Sequence, residues 1–186
     1  FQEVFAAARS IELPERISYL GPEGSFTHQA AESNFGSQAK YLPINSIKSV
    51  FDSVESKKTK YGIIPLENNQ EGIVQETIDL LGVSNLKIIS ELPMSISFSF
   101  ATRAKEINKI KKIYSKDIAF KQCKDIIETY FSDEVKCIPV NSTSAAVRYA
   151  DKQEDSAAIC SRFAAVQRGV PILYDKIEDS KDNHTR

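Results

Sequence analysis

The chain has 186 residues, of which 41% are hydrophobic and 26% are charged. It is long enough to bury a core and too highly charged for a membrane span, which predicts a soluble globular protein. The 24 basic residues are balanced by 25 acidic ones, so there is no positive field to attract nucleic acid or anionic lipid. We therefore expect neither nucleic acid nor a membrane among its partners.

Cysteine and histidine are sparse in the sequence. The three cysteines, Cys123, Cys137 and Cys160, are odd in number and widely spaced. This fits neither a disulfide framework nor a zinc ribbon and favours a cytoplasmic location. The two histidines, His28 and His184, are far apart and outside the usual ligand spacings, so we expect no metal site.

Residues 1–15 precede the first predicted strand. Phe1–Leu13 is a short amphipathic run that lacks the uninterrupted apolar core of a signal peptide. We interpret residues 1–15 as the end of an upstream helix followed by a linker.

Strand and helix patterns alternate from residue 16 to about residue 93. Apolar runs predict strands at Ile17–Leu20, Tyr41–Ile44, Tyr61–Pro65 and Leu86–Ile89. Helical patterns lie between them at Phe26–Phe35, Ile47–Val54 and Val74–Leu81. The second of these helices has apolar residues at the i, i+3, i+4, i+7 spacing, and Ser46 is its predicted N-cap. This order predicts a first α/β lobe.

The pattern restarts near residue 94 and predicts a second α/β lobe that extends to about residue 170. Its strands are expected at Ile96–Phe100, Ile110–Tyr114, Val135–Val140 and Ala157–Ile159. Its helices are expected at Ala119–Tyr130, Ser142–Ala150 and Ser161–Arg168. Residues 171–186 contain one strand-like piece at 172–174 and then turn polar, so we expect them to return to the first lobe. Two such lobes commonly bind a small anion in the crevice between their strand ends.

The first strand-to-helix turn, Gly21–Thr27, is a candidate binding loop. Free N–H groups and the helix dipole favour a negative charge at such a turn, and Ser25 and Thr27 supply hydroxyl groups. It has the spacing of neither a Walker loop nor a dinucleotide fingerprint. A tight turn with a capped helix is the competing interpretation.

A dense polar cluster follows the strand at Tyr61–Pro65. Within Leu66–Gly72, Glu67 could supply a proton and Asn68 could donate to a substrate oxygen. A solvated loop fits the same pattern.

Further candidates stand at helix starts and at Arg186. Ser115, Ser142 and Thr143 could cap helices or donate to a bound anion, and Gln122 lies about two turns beyond Ser115. Arg186 suits a bidentate contact with a carboxylate, although a polar tail is the competing interpretation.

Taken in order, these segments resemble the prephenate dehydratase family across nearly the whole chain. The motifs that support the resemblance are Gly21–Thr27, Gly62–Gly72 with Asp79–Leu81, Ser115 with Gln122 and Cys123, Ser142–Ala146, and Asn183 with Thr185 and Arg186. Two places depart from it. Asn69 stands where the family usually has Ser, and Ser95 and Ile96 stand where a histidine pair is common.

The resemblance implies two α/β lobes of the type II periplasmic-binding-protein kind, with residues 16–186 as the catalytic domain. Lobe 1 would comprise about 16–93 and 171–186, and lobe 2 about 94–170. The implied reaction converts prephenate to phenylpyruvate, with loss of water and carbon dioxide, in L-phenylalanine biosynthesis and without a cofactor. The implied catalytic residues are Thr185, Glu67, Asn68, Ser115 and Gln122. The implied substrate-binding residues are Ser25, Thr27, Ser142, Thr143 and Arg186.

Within this implied mechanism, Thr185 assists the leaving hydroxyl group, with a proton relayed from Glu67. The resemblance also implies a dimer or larger assembly, a chorismate mutase domain that ends near Leu13, and an ACT domain after Arg186 through which L-phenylalanine inhibits. A small-anion or effector-binding module without catalysis, and a dehydratase acting on arogenate, remain the alternatives.

Overall fold

The computed structural model describes residues 14–36, 38–131 and 134–186. The predicted helix end at Phe1–Leu13 lies outside the described residues. The strands are β1 (Arg16–Leu20), β2 (Lys40–Ile44), β3 (Tyr61–Ile63), β4 (Glu67–Asn68), β5 (Gly72–Ile73), β6 (Met94–Ser95), β7 (Ser99–Thr102), β8 (Lys112–Ser115), β9 (Lys136–Pro139), β10 (Ser156–Cys160), β11 (Ile172–Asp175) and β12 (His184–Thr185). The α-helices are α1 (Phe26–Phe35), α2 (Ile47–Glu55), α3 (Gln75–Val83), α4 (Asp117–Gln122), α5 (Lys124–Tyr130), α6 (Thr143–Ala150) and α7 (Arg162–Arg168).

The first lobe is built on a parallel sheet in the order β2-β1-β3. Ile17 and Tyr19 of the central strand are almost completely buried. Helix α2 begins as predicted, because the Ser46 side chain accepts a hydrogen bond from the Ser49 N–H group. Val50 of α2 lies in the same core, so the apolar stripe found in the sequence is the buried face of this helix.

The second lobe is built on a five-stranded sheet in the order β11-β7-β10-β8-β9. Strand β10 is parallel to β8 and antiparallel to β7. Side chains alternate between the two faces of a strand, and β10 accordingly contributes Ala158 and Cys160 to one core cluster and Ala157 and Ile159 to the other. This strand is buried on both faces and forms the centre of the lobe.

A short antiparallel sheet in the order β5-β4-β12-β6 joins the two lobes. Thr185 of β12 pairs with Asn68 on one side and with Met94 on the other. The last described strand is therefore held between the segment that leaves the first lobe and the segment that enters the second.

Three expectations about the elements were wrong. Leu86–Ile89 does not form a strand, and Ile88 and Ile89 are 66% and 68% exposed. An apolar run indicates an extended segment, but it does not show whether a neighbouring strand is present to pair with it. The helix expected at Ala119–Tyr130 is divided at Cys123, whose backbone (φ −129°, ψ 38°) ends α4.

The third wrong expectation was that residues 171–186 return as a whole to the first lobe. β11, within residues 171–186, pairs with β7 and so completes the second lobe's sheet. Only the later β12 reaches the joining sheet. The sequence marks an apolar strand at this position, but its partner is fixed by non-local hydrogen bonds.

The first turn of the chain packs closely against the second lobe. Gly24 adopts φ +79°, and a Cβ atom added there would lie 3.1 Å from Ser144 and 3.4 Å from Ala164. Its N–H group donates to Nδ1 of His28 over 3.1 Å, and the His28 ring meets Phe163 of α7 edge-on at 5.2 Å. His28 is 4% exposed, so a buried imidazole lies at the junction of the lobes.

None of the α-helices in the described ranges is long and apolar enough to cross a bilayer.

Gly62 allows α2 to pack directly on β3, and a larger residue there should destabilise the protein. A Cβ atom at Gly62 would lie 2.8 Å from Val50 Cγ1 and 3.1 Å from Val54 Cγ2. We expect Gly62→Ala to lower the free energy of unfolding by about 1–3 kcal/mol in denaturant titrations, as overpacked cores do. Gly82→Ala is the matched control, because nothing lies within 4 Å of its added Cβ atom in α3; it should be neutral or stabilise by up to ~1 kcal/mol. Similar losses in both variants would contradict the packing argument.

His28 should make stability depend on pH. Burial lowers the pKa of its imidazole, although Glu32 and Glu23 oppose the shift. The unfolded state therefore binds more protons than the folded state below the ordinary pKa of about 6.5. The stability contributed by neutral His28 is complete above that pH and is lost as the pH falls towards the lowered value. Protonation would also place a hydrogen on His28 Nδ1, so that this atom could no longer accept the hydrogen bond from the Gly24 N–H group.

We expect the free energy of unfolding to fall between about pH 7.5 and 5.5, and His28→Asn to reduce this slope. The control is His184→Asn, at the exposed histidine, which should keep the slope of the unaltered chain. Equal slopes in all three proteins would refute this role of His28.

Candidate active site

A cleft of about 910 Å³ lies between the two lobes and the joining sheet. This volume is suited to a small organic molecule. Its polar lining comes from both lobes and includes Ser25, Thr27, Asn68, Lys116, Gln122, Asn141, Ser142, Thr143, Asn183, Thr185 and Arg186. Most of the residues expected from the sequence to form a site therefore meet in one place.

The direction of the Asn68 amide is fixed by the main chain. Its Oδ1 atom accepts from the N–H groups of Gln70 at 2.9 Å and Glu71 at 3.0 Å. Backbone N–H groups only donate, so the oxygen must face them and the NH2 group must face the other way. That NH2 group donates to Thr185 Oγ1 and to Asn183 Oδ1, both at 2.8 Å.

Three more side-chain amides continue this series of hydrogen bonds, and each donates through its NH2 group to the next acceptor. Asn183 Nδ2 donates to Gln122 Oε1 at 3.1 Å, and Gln122 Nε2 donates to Gln70 Oε1 at 2.6 Å. Gln70 Nε2 then donates to the carbonyl oxygen of Asp182 at 2.7 Å. Gln122 lies on α4 of the second lobe, so this amide network connects the joining sheet to that lobe.

The network leaves the Thr185 hydroxyl hydrogen available to a ligand. Thr185 Oγ1 accepts from Asn68 Nδ2, and its side chain lines the cleft. A hydroxyl group that accepts one hydrogen bond can still donate its own hydrogen. Thr185 is therefore placed as a donor to an oxygen atom bound in the cleft.

Arg186 and Glu67 form an ion pair at the edge of the site. Arg186 Nε lies 3.2 Å from Glu67 Oε1 and 3.2 Å from Glu91 Oε1. The Glu67 carboxylate is directed to Arg186, and no hydrogen bond within the described residues joins it to Thr185. Glu67 thus lies close to the site, but within the described residues it is not hydrogen-bonded to the Thr185 hydroxyl group, to which it was expected to relay a proton.

Ser115 is not brought into the cleft. Its side chain is fully buried, and Oγ donates to the carbonyl oxygen of Ile159 over 2.7 Å. The N-cap of α4 is Lys116, so Ser115 does not cap that helix either. Instead it connects β8 to β10 inside the second lobe.

The remaining hydroxyl groups lie at helix starts on the cleft wall. Ser25 accepts from the His28 N–H group, and both Ser25 and Thr27 donate to the Leu20 carbonyl oxygen. Ser142 accepts from the Ala145 N–H group at 3.0 Å. Thr143 begins α6 and is 9% exposed. The capping interpretation is correct for Ser25 and Ser142, and all four residues still line the cleft.

Sequence reasoning missed Asn183, Gln70 and Lys116 as parts of this site. Asn183 lies two residues before Thr185, so strand alternation places both on one face, and this signal was available in the sequence. Lys116 lines the cleft at the start of α4, where a cation opposes the helix dipole. Gln70 belongs to the polar cluster of Leu66–Gly72, but the sequence does not show that its side chain pairs with Gln122 of the second lobe.

Neither a nucleophilic cysteine nor a metal cluster is found at the cleft in the described part of the chain. Cys123 is fully buried, and burial strongly raises the pKa of its thiol, as expected for a packing residue. No group of three or more His, Cys, Asp or Glu side chains in the described ranges is placed to bind a metal ion.

Comparison with protein families gives one match over nearly the whole chain. The family described as prephenate dehydratase matches residues 17–186. The bifunctional chorismate mutase/prephenate dehydratase of Aquifex aeolicus (strain VF5) is 37% identical over 186 residues, which are 100% of this chain and 51% of that protein. The chain thus spans about half the length of the curated relatives it matches.

Solved structures agree on the fold. The prephenate dehydratase of Arthrobacter aurescens, in complex with L-Phe, is 26% identical with a TM-score of 0.80, covering 91% of this chain and 58% of that one. GqqA, described as a novel type of quorum quenching acylase, has a TM-score of 0.80 at 19% identity, with 92% and 62% covered. The latter shows the fold alone, since one fold can support different activities. The predicted class of two α/β lobes around a cleft is confirmed.

The position of Ser115 predicts a role in stability. Ser115→Ala would remove the donor to the buried Ile159 carbonyl oxygen, and we expect the free energy of unfolding to fall by about 1–3 kcal/mol. Ser33→Ala is the control, because Ser33 donates to the Gln29 carbonyl oxygen on the exposed face of α1, and it should change stability by less than ~0.5 kcal/mol. Denaturant titration measures both; an unchanged midpoint in Ser115→Ala would show that its hydrogen bond is not structural.

Proposed function

The chain belongs to the prephenate dehydratase family, and from this premise we propose that it converts prephenate to phenylpyruvate with loss of water and carbon dioxide. The observation that supports this most directly is the Thr185 hydroxyl group. Asn68 holds its oxygen at 2.8 Å and leaves its hydrogen free to donate into the cleft.

The chemistry needs little more than assistance to the leaving group. The ring hydroxyl of prephenate, hydrogen-bonded by a donor in the cleft, takes up a proton that comes ultimately from solvent and leaves as water, while the bond to the ring carboxylate breaks and carbon dioxide departs. The electron pair of that bond enters the ring, which becomes aromatic and supplies much of the driving force. A positioned donor at the leaving oxygen typically contributes about a hundredfold to ten-thousandfold. We assign this donor role to Thr185.

The other cleft residues are proposed to hold the substrate. Gln122 presents an amide group whose direction is fixed before a ligand binds, which reduces the cost of orienting it. Both N–H hydrogens of Asn68 are engaged by Thr185 and Asn183, so we propose that Asn68 acts on the substrate through Thr185. Lys116 and Arg186 are two of the cationic residues that line the cleft, and we propose that they attract the two carboxylates of prephenate. Ser25, Thr27, Ser142 and Thr143 remain proposed substrate contacts through the helix starts that they occupy.

Ser115 and Glu67 keep smaller proposed roles. Ser115 supports the site through β8 and β10, and Glu67 holds Arg186 in place. When the substrate binds, Arg186 could leave one of the two carboxylates beside it and pair with a carboxylate of the substrate.

For the protein that contains this chain, we propose a role in L-phenylalanine synthesis in the cytoplasm, as a dimer or larger assembly. Family membership supports this setting, and relatives such as the Aquifex aeolicus protein have a chorismate mutase activity in their name. The complex of the Arthrobacter aurescens enzyme with L-Phe supports L-phenylalanine as a regulatory ligand.

Removing the Thr185 hydroxyl should slow turnover. We expect Thr185→Ala to lower kcat by about a hundredfold to ten-thousandfold, because the leaving oxygen loses its donor. Thr185→Ser keeps the hydroxyl group and is the matched control, with most activity retained. The assay is the ultraviolet absorbance of phenylpyruvate formed from prephenate.

Three results would change the assignment. Equal kcat in Thr185→Ala and the unaltered chain would remove Thr185 from the mechanism. Binding of prephenate without any product from the unaltered chain would favour a binding module. Phenylalanine formed from arogenate, without phenylpyruvate from prephenate, would identify the aminated compound as the substrate.

A further inference from the structure

We infer that Asn183 is a positioning residue that sets the direction of the amide groups of Asn68 and Gln122, an inference that rests on the proposed dehydratase function. Asn183 is 2% exposed. Its Oδ1 atom accepts from Asn68 at 2.8 Å, and its Nδ2 atom donates to Gln122 at 3.1 Å. It thus lies between a residue of the joining sheet and a residue of the second lobe.

The count of donors and acceptors leaves Asn183 a single orientation. The backbone N–H groups of Gln70 and Glu71 force the Asn68 NH2 group to point away from them. That group needs acceptors, and Asn183 can offer only Oδ1. Its own NH2 group must then face Gln122, whose Oε1 atom becomes the acceptor. The orientation of the Asn68 amide thus determines that of Gln122, in the second lobe, through the side chain of Asn183.

The consequence appears at Gln122. With Oε1 engaged by Asn183, the Gln122 NH2 group faces Gln70 and the cleft. One of its two hydrogens is bonded to Gln70, and the other can donate to a ligand. If the amide were reversed, a carbonyl oxygen would face a substrate that carries two carboxylates. Asn183 therefore decides whether Gln122 attracts or repels the substrate.

The main chain holds Asn183 in place independently of its side chain. Its carbonyl oxygen accepts from the Ile96 N–H group at 2.8 Å, and His184 and Thr185 continue directly into β12. A substitution of the same shape can therefore change the hydrogen-bond direction while the joining sheet is kept.

Asn183→Asp separates direction from shape. As a carboxylate, the new side chain still accepts from Asn68 but cannot donate to Gln122, so the Gln122 amide must turn around. When it is protonated, its O–H group donates to Gln122 and its other oxygen accepts from Asn68, which restores the original pattern. The variant should thus lose activity at neutral pH and recover it in acid.

We expect kcat/KM for prephenate to be about ten- to a hundredfold lower than in the unaltered chain near pH 7.5, the range for a hydrogen bond that involves a charged group. The ratio of variant to unaltered chain should rise at least severalfold by pH 5.5. Asn108→Asp, the same chemical change at an exposed position, should keep a constant ratio. The charged groups on adjoining segments, Asp179, Asp182 and His184, are common to all three proteins.

A second background distinguishes positioning from the cost of a buried charge. If Asn183 acts through Gln122, then Asn183→Asp should cause no further loss, and no acid recovery, in a Gln122→Ala chain. A loss of the same size in both backgrounds would overturn the inference and assign Asn183 a purely structural role.

Binding measurements keep the inference separate from the proposed function. Calorimetric affinity for prephenate requires no turnover and should show the same acid recovery in Asn183→Asp. Absence of phenylpyruvate from the unaltered chain would count against the dehydratase activity alone. Absence of acid recovery in both affinity and kcat/KM would count against Asn183.

Discussion

Strand β12 is hydrogen-bonded on one side to β4 and on the other to β6, and this pairing determines how the cleft is assembled. β4 follows the first lobe along the chain and β6 precedes the second, so a two-residue strand from much later in the sequence holds the two connections together. The pairing also brings Thr185 opposite Asn68. Because register in an antiparallel pair is set residue by residue, a slip of one position would send the Thr185 side chain to the opposite face.

The cleft is organised by neutral amides more than by charges. The two backbone N–H groups that bind Asn68 fix one amide, and three further amides then have no free choice of direction. Amides do not titrate, so the donors aimed at the ligand keep their direction when the pH changes. The charges lie at the edge, where Arg186 is shared between Glu67 and Glu91. This arrangement is consistent with the proposed substrate, which carries two carboxylates, and with a reaction that needs orientation and one hydrogen-bond donor.

The lobes also meet at a second place, on the other side of the first turn. His28 is stacked on Tyr19 at 4.5 Å and meets Phe163 of the second lobe edge-on at 5.2 Å, while Gly24 allows the turn to approach Ser144 and Ala164. The turn that bears Ser25 and Thr27 is therefore positioned by contacts from both lobes. The hydroxyl groups that line the cleft and the packing of the lobes are coupled here, because the same turn, Gly21–Thr27, contributes to both.

The sequence by itself determined the local features: the strands and helices of the first lobe as far as α2, the serine caps at Ser25, Ser46 and Ser142, and the polar clusters from which the cleft is built. These depend on periodicity and on hydrogen bonds that span a few residues, so neighbouring letters are enough to predict them. Only the tertiary structure decided that β11 joins the second sheet, that Leu86–Ile89 has no strand partner among the described residues, and that Ser115 bonds to Ile159 while Gln70 bonds to Gln122. Each of these outcomes depends on a partner tens of residues away, and a donor or an apolar run does not specify in sequence which distant group will satisfy it.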